Sequence, residues 1–309
     1  MKIAIIGVGT VGSAIATAVH NTGLVREIAL YDRDNVRAQA AAEDLGHAGA
    51  FNFDVKINAV NDYRGIRGSD IVIISAGANQ KQGQTRMDLL KANTAVIRDV
   101  IPQIMKNVDS KKVILIVVTN PLDVMVMLAT QLSGLPAEQV IGTGTMLDSA
   151  RFKTILSRHL DVSARSINSF VLGEHGDSSV LNWSSVTVGN LSLDDFCKQV
   201  KVPLTAVTRK TIEYRVHNAA YEIIKGRGAT WDGIGAAVAD LLRCIANDEK
   251  RILTVSINEG VGKNSVSMSM PRIVGIKGVI GTLIPEMHLA ESKALQKSAE
   301  VIKAGFKKI

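Results

Sequence analysis

The chain opens with an apolar run, Lys2 to Ile6, that ends directly in Gly7-x-Gly9-x-x-Gly12 and continues into an amphipathic stretch. Three small residues between a strand and a helix answer three needs: a tight turn, close backbone approach to a ligand phosphate, and tight packing of helix on strand. A helix that starts there turns its unpaired backbone N–H groups toward the turn, which favours a pyrophosphate. The glycine pattern alone fits a purely structural strand–helix turn as well. A second apolar run closes at Asp32, 20 positions beyond Gly12, where a carboxylate accepts hydrogen bonds from the hydroxyls of an adenosine ribose. That carboxylate repels a ribose 2′-phosphate, so NAD is expected rather than NADP, although Arg33 is of the type that pairs with such a phosphate.

The first half keeps this rhythm. β-Branched runs at 2–6, 27–31, 55–60, 70–75, 112–118 and 139–142 alternate with amphipathic stretches that begin near Gly12, Asn35, Met87 and Pro121. This is the pattern of parallel strands joined by right-handed crossover helices. After about Asp148 the order changes to a helix reaching about His159, a strand at 167–172, and helical stretches within 205–225 and 231–247. Strands at 252–257, 266–270 and 272–275 and a helix over 286–307 follow. The expected fold is α/β: a Rossmann-type doubly wound parallel sheet over residues 1–145, then an α+β substrate domain over 146–309. No linker separates the two, so they are expected to pack against each other.

Composition excludes several classes. Hydrophobic residues at 46% and charged residues at 21% describe a globular chain, not a disordered one. Cys197 and Cys244 stand in no metal-ligand spacing and cannot form a disulfide framework, so no metal and a reducing, cytoplasmic setting are expected. The N-terminus runs straight into the glycine turn, leaving no room for a signal peptide, and the apolar run at 113–118 falls well short of the roughly 20 residues of a membrane span. The net charge of +7 comes from scattered basic residues with only 4% aromatics, which argues against nucleic acid and is compatible with an anionic small molecule.

Two clusters carry chemistry. In Gly173-Glu174-His175-Gly176-Asp177-Ser178, a histidine between glycines near a strand end is accessible and titrates near neutrality. In Leu147-Asp148-Ser149-Ala150-Arg151, Asp148 and Arg151 share one face of a helix, and the pair reads equally as an intrahelical ion pair.

Taken in order with Gly7–Gly12, Asp32 and Thr119-Asn120-Pro121, these segments resemble the L-lactate dehydrogenase family and its L-2-hydroxyacid (2-hydroxyisocaproate) dehydrogenase relatives over nearly the whole chain. The resemblance implies an NAD-dependent oxidoreductase that interconverts an L-2-hydroxy acid and its 2-oxo acid: lactate and pyruvate, or a somewhat larger pair. It implies a homo-oligomer, tetramer or dimer. His175 then takes the hydroxyl proton as hydride leaves and returns it in the reverse direction, while Asp148 orients the imidazole and stabilises its cation. Arg151 clamps the substrate carboxylate with its planar fork.

Residues 76–86 resemble the family's mobile loop, with Arg86 closing over the substrate to polarise the reacting carbonyl and Gln80 facing the substrate side chain. The resemblance also implies that Asn120 lies beside nicotinamide and substrate, Thr230 in the far pocket wall, and Ile234 against nicotinamide. Gly7, Gly9, Val11, Gly12, Asp32 and Gly77 complete the implied cofactor site. Gln82, Trp231 and Asp232 depart from common residues of the family and alter the loop and the pocket shape.

Malate dehydrogenases share this arrangement, but Gln80 is neutral where they typically carry an arginine for a second carboxylate, and Glu174 stands where many have glycine. NAD-dependent glycosidases require a metal held by cysteine and histidine, and neither cysteine lies in a matching motif. A non-catalytic NAD-binding protein is the third alternative; it is expected to lack part of the set His175, Asp148, Arg151 and Arg86, all of which are present.

Overall fold

A computed structural model describes residues 1–78, 86–260 and 262–309, with all side chains except those of Arg86 and Lys263. Gln80 therefore lies outside the described residues, and so does the side chain of Arg86. The first half runs β1 (Lys2–Ile6), α1 (Thr10–His20), β2 (Glu27–Tyr31), α2 (Asn35–Ala48), β3 (Lys56–Ala59), β4 (Ile71–Ile74), α3 (Arg86–Met105), β5 (Ile114–Val117), α4 (Leu122–Ser133) and β6 (Val140–Gly142). All six strands are parallel, in the order β3-β2-β1-β4-β5-β6. The order reverses between β1 and β4, and the crevice outside the carboxyl ends of strands at such a point is where this fold binds ligands.

β4 and β5 are buried at every position. Side chains alternate between the two faces of a strand, so each face gathers its own layer. On one face Ile3, Ile5, Ile73 and Ile116 pack with Ile15 and Val19 of α1; on the other Ile6, Val72, Ile74 and Val117 pack with Ile97 and Ile101 of α3 and Met125 of α4.

The second half comprises α5 (Met146–Leu160), β7 (Ile167–Asn168), β8 (Val171–Leu172), β9 (Val180–Leu181), β10 (Thr187–Val188), β11 (Leu191–Ser192) and α6 (Leu193–Val200). It continues with α7 (Ala206–Arg227), α8 (Asp232–Ala246), β12 (Arg251–Glu259), β13 (Val266–Gly275), β14 (Gly278–Thr282) and α9 (Leu289–Phe306). The last three strands form an antiparallel meander that joins the parallel sheet where β12 meets β6, making nine strands in all among the described residues.

Three details differ from the sequence reading. The run at 167–172 is two short strands in two different small sheets, because the Val171 N–H donates to Ser149 Oγ and its carbonyl accepts from Thr145 Oγ1 instead of extending the β7 ladder. The runs at 266–270 and 272–275 are one strand bridged by Pro271. The Pro271 carbonyl accepts from Leu283 at 2.8 Å, so its nitrogen faces the β14 side as well and the β12–β13 ladder loses no donor. β9, β10, β11, β14 and α6 went unrecognised; β14 reads Gly-Val-Ile-Gly-Thr, a composition that favours turns.

Helix α8, from the second half, lies against α1 and completes the first core layer with Val238, Leu241, Leu242 and Ile245. Leu241→Ala should therefore cost about 2–5 kcal/mol and destabilise both halves together. Calorimetry is expected to show the whole chain unfolding at a lower temperature; a shift confined to a separate second transition would contradict the shared core.

Candidate active site

The glycine turn is shaped by close approaches. Gly7 adopts φ +93° and donates its N–H to the Tyr31 carbonyl at 2.8 Å. A Cβ at Gly7 would lie 2.5 Å from Ala76 Cα, and one at Gly12 would lie 1.9 Å from the Gly7 carbonyl oxygen, so neither position admits a side chain. Gly9 is different: a Cβ there meets nothing within 4 Å, and no side chain caps the helix α1 that it begins. The turn is thus an open cradle at a helix N-terminus, which fits a dinucleotide pyrophosphate.

Asp32, buried just after β2, reaches back to this turn. Its Oδ2 accepts from the Val8 N–H at 2.7 Å and its Oδ1 from the Asp34 N–H at 3.0 Å, with Arg37 Nη1 at 3.8 Å. A carboxylate has about four lone-pair sites, so acceptor capacity remains for ribose hydroxyls. Val11 and Ile234 are partly buried against the same core layer. Gly77 packs on Thr119 and on Asn93. The buried Asn93 amide receives the Ala78 N–H at 2.6 Å and donates to the Asn120 carbonyl at 2.6 Å, tying the chain after β4 to the chain after β5. Asn120 itself is exposed.

The acid–base cluster forms where α5 meets the loop after β8. Asp148, in the first turn of α5, accepts from Arg151 Nη1 through Oδ1 at 2.8 Å, and its Oδ2 lies 2.7 Å from His175 Nδ1. One guanidinium N–H is committed here and others stay available. Burial pulls the His175 imidazole down, but the charge and hydrogen bond of Asp148, helped by the charge of Asp123, outweigh it, so His175 titrates above its ordinary value. For Asp148 burial pushes up, and the His175 and Arg151 interactions more than reverse it, so it stays ionised well below the usual carboxylate range.

The loop that carries His175 is pinned at several points. Gly173 exchanges backbone hydrogen bonds with Ser269 of β13 at 2.9 Å, the Glu174 N–H donates to Ser298 Oγ of α9 at 2.8 Å, and the Glu174 carboxylate accepts from Ser178 Oγ at 2.5 Å. The Thr230 segment enters from α8, whose Gly233 would place a Cβ 2.8 Å from Leu147 Cδ1 beside Asp148. Among the described residues, His175, Asp148 and Arg151 are joined by direct contacts, whereas Asn120, Thr230 and Ile234 make no hydrogen bond to them.

Sequence reasoning missed Asn93, Asp123, Ser256 and Ser298. Asp123 had a visible signal, a lone acid in the run Leu122-Asp123-Val124-Met125-Val126-Met127-Leu128-Ala129. Its Oδ2 accepts the backbone N–H of His175 at 2.7 Å, and Ser256 Oγ donates to its Oδ1 at 2.6 Å. The other three are ordinary polar residues, and only the fold reveals what they hold.

Comparison with known proteins agrees along the full length. Residues 1–142 match the model of the lactate/malate dehydrogenase NAD-binding domain, and residues 145–309 that of the lactate/malate dehydrogenase alpha/beta C-terminal domain. The L-lactate dehydrogenase of Thermus aquaticus is 45% identical over 305 residues, 98% of this chain and 97% of that protein. The L-lactate dehydrogenase of Allorhizobium ampelinum is 44% identical with the same coverage. The crystal structure of the minor L-lactate dehydrogenase of Enterococcus mundtii superposes with a TM-score of 0.93 at 34% identity, covering 100% of this chain and 98% of that one. A lactate dehydrogenase from a Medee basin deep-sea metagenome library gives 0.93 at 35% identity, covering 99% and 98%. The chain belongs to the lactate/malate dehydrogenase family.

Proposed function

We propose that this protein is an NAD-dependent L-lactate dehydrogenase, in which residues 1–145 hold the cofactor and residues 146–309 supply the acid–base and carboxylate-binding groups. The observation that carries this reading is the 2.7 Å contact between Asp148 and His175 Nδ1, which leaves Nε2 as the ring nitrogen for a substrate oxygen. Gly7, Gly9, Val11 and Gly12 would hold the pyrophosphate of NAD and Asp32 its ribose, and the nicotinamide would supply the hydride chemistry of the lactate–pyruvate couple.

The chain's own groups do the rest. Protonated His175 donates to the keto oxygen of pyruvate and gives up its proton as the hydroxyl forms; neutral His175 takes that proton back from lactate. Asp148 fixes the tautomer and stabilises the cation. Arg151 uses its remaining donors on the substrate carboxylate, so that the reacting carbon is held in one orientation. Arg86 is assigned the closing cation that polarises the carbonyl, and Gln80 the neutral contact to the methyl side; Gly77, Asn120, Thr230 and Ile234 line the nicotinamide and substrate pocket. A neutral Gln80 would leave the second carboxylate of oxaloacetate unpaired, which favours pyruvate over the malate dehydrogenase substrate. No helix among the described residues is long and apolar enough to cross a membrane, in keeping with a cytoplasmic enzyme. The homo-oligomer, tetramer or dimer, is proposed on the family resemblance alone.

The decisive experiment is a panel of pyruvate, branched-chain 2-oxo acids, phenylpyruvate and oxaloacetate with NADH and NADPH. Pyruvate with NADH is expected to give the highest kcat/KM; a preference for oxaloacetate would transfer the protein to malate dehydrogenase. In the same assay Asp32→Ser is expected to weaken NADH use and narrow its advantage over NADPH, and an unchanged ratio would detach Asp32 from the ribose. Because His175 titrates above its ordinary value and must be protonated to reduce pyruvate, kcat/KM should be flat below that raised value and fall above it, while lactate oxidation rises through the same range. Asp148→Asn keeps an acceptor for Nδ1 and removes the charge. It should move both limbs to lower pH by roughly 1–2 units, as pH–rate profiles would show.

A further inference from the structure

Asp123 lies in the first turn of α4, 2% exposed, among the apolar residues Leu122 and Val124 to Ala129 that fill the second core layer. An acid there must find partners for both oxygens. One partner is the Ser256 hydroxyl of β12, itself 3.3 Å from Ser267 Oγ of β13; the other is the backbone N–H of His175, 52 positions away in the chain. The acid–base histidine is therefore gripped twice, its ring by Asp148 of α5 and its main chain by Asp123 of α4.

We propose that Asp123 is a positioning residue of the reaction: its carboxylate fixes the backbone of His175, and its negative charge, added to that of Asp148, holds the imidazole in its protonated form. The inference rests on the reading of His175 as the proton-transfer group.

The geometry makes both parts necessary. A hydrogen bond at Nδ1 fixes the ring relative to α5, and the contacts of Gly173 and Glu174 hold the chain just before it; the N–H bond at 2.7 Å fixes the His175 peptide itself. Among the described residues, the charged groups that act on the imidazole are Asp148 and Arg151 of α5 and Asp123 of α4, with Glu174 of its own loop acting on Asp123. Arg151 opposes the imidazolium, so with Asp148 shared between the two cations a second carboxylate counts. Burial pushes the Asp123 carboxyl up to about 6, with Glu174 adding to it, while the hydrogen bonds from Ser256 and His175 hold it down. It is therefore mostly ionised at neutral pH, and its charge bears on the ring.

The test uses the full-length protein and two readouts: NMR titration of the His175 ring, and the pH profile of pyruvate reduction with NADH. Asp123→Asn can still accept the His175 N–H through its carbonyl but carries no charge. It should lower the His175 titration midpoint by about one pH unit and move the alkaline limb of kcat/KM in the same direction. Asp123→Ala removes the acceptor as well and should lower kcat further at every pH. If Asp123→Asn does not fold, Ser256→Ala replaces it, since losing that donor raises the Asp123 carboxyl further and reduces its charge at neutral pH. A His175 midpoint unmoved in the folded variant, with only thermal stability reduced, would overturn the proposal and leave Asp123 as a structural acid. A midpoint that moves in a protein inactive toward every 2-oxo acid would instead uphold the charge effect and remove lactate dehydrogenation.

Discussion

Burying a carboxylate is unfavourable by several kcal/mol unless each oxygen meets a cation or a donor. Asp148 satisfies that condition with Arg151 on one side and His175 on the other. Arg151 is one turn away on the same helix, but His175 comes from a loop that has no intrinsic reason to be there. Much of the C-terminal half is arranged around that requirement. The N-terminus of α5 is tied to β12 by the Thr145 N–H on the Thr254 carbonyl at 3.1 Å, and Ser149 Oγ lies 3.1 Å from Thr254 Oγ1. On the other side β13 and α9 hold Gly173 and Glu174, so the ring reaches Asp148 from a loop anchored immediately before it.

The cluster is also an electrostatic balance. Among the described residues, Arg151 and the His175 imidazole sit among Asp148, Asp123 and Glu174, and the two aspartates favour a proton on the ring. Arg151, only 13% exposed in its side chain, keeps donors beyond the one given to Asp148. An anionic substrate arriving there adds negative charge next to the ring and favours the imidazolium further.

Much of the fold was legible because the sequence repeats one physical idea. Uninterrupted apolar runs such as Ile71–Ile74 and Ile114–Val117 mark strands covered on both faces, and the glycine turn with Asp32 marks the ligand crevice. Periodicity lost its grip where side chains replaced the ladder, as at Val171, and where a proline sat on the harmless side of a strand, as at Pro271. The attachment of the β12–β14 meander to β6 was invisible because strand pairing at a distance leaves no local signature. The contact of Asp148 with His175 was anticipated through family resemblance, since residues 27 positions apart have no spacing rule that joins them. Asp123 was missed because it read as the first turn of a buried helix, where an acid also complements the helix dipole.

Helix α8 gives the chain a definite order of events during synthesis. The apolar side of α1 and the strands beneath it are covered by Val238, Leu241, Leu242 and Ile245, residues made about a hundred positions after the last parallel strand, β6, is complete. At roughly 5–20 residues per second, a ribosome leaves that surface uncovered for several seconds. During that interval the nascent chain carries its six parallel strands with the α1 layer open, the kind of surface that chaperones bind and that pairs wrongly with a neighbouring chain. Burial of that layer during synthesis thus waits for a helix of the second half and does not end with completion of the first.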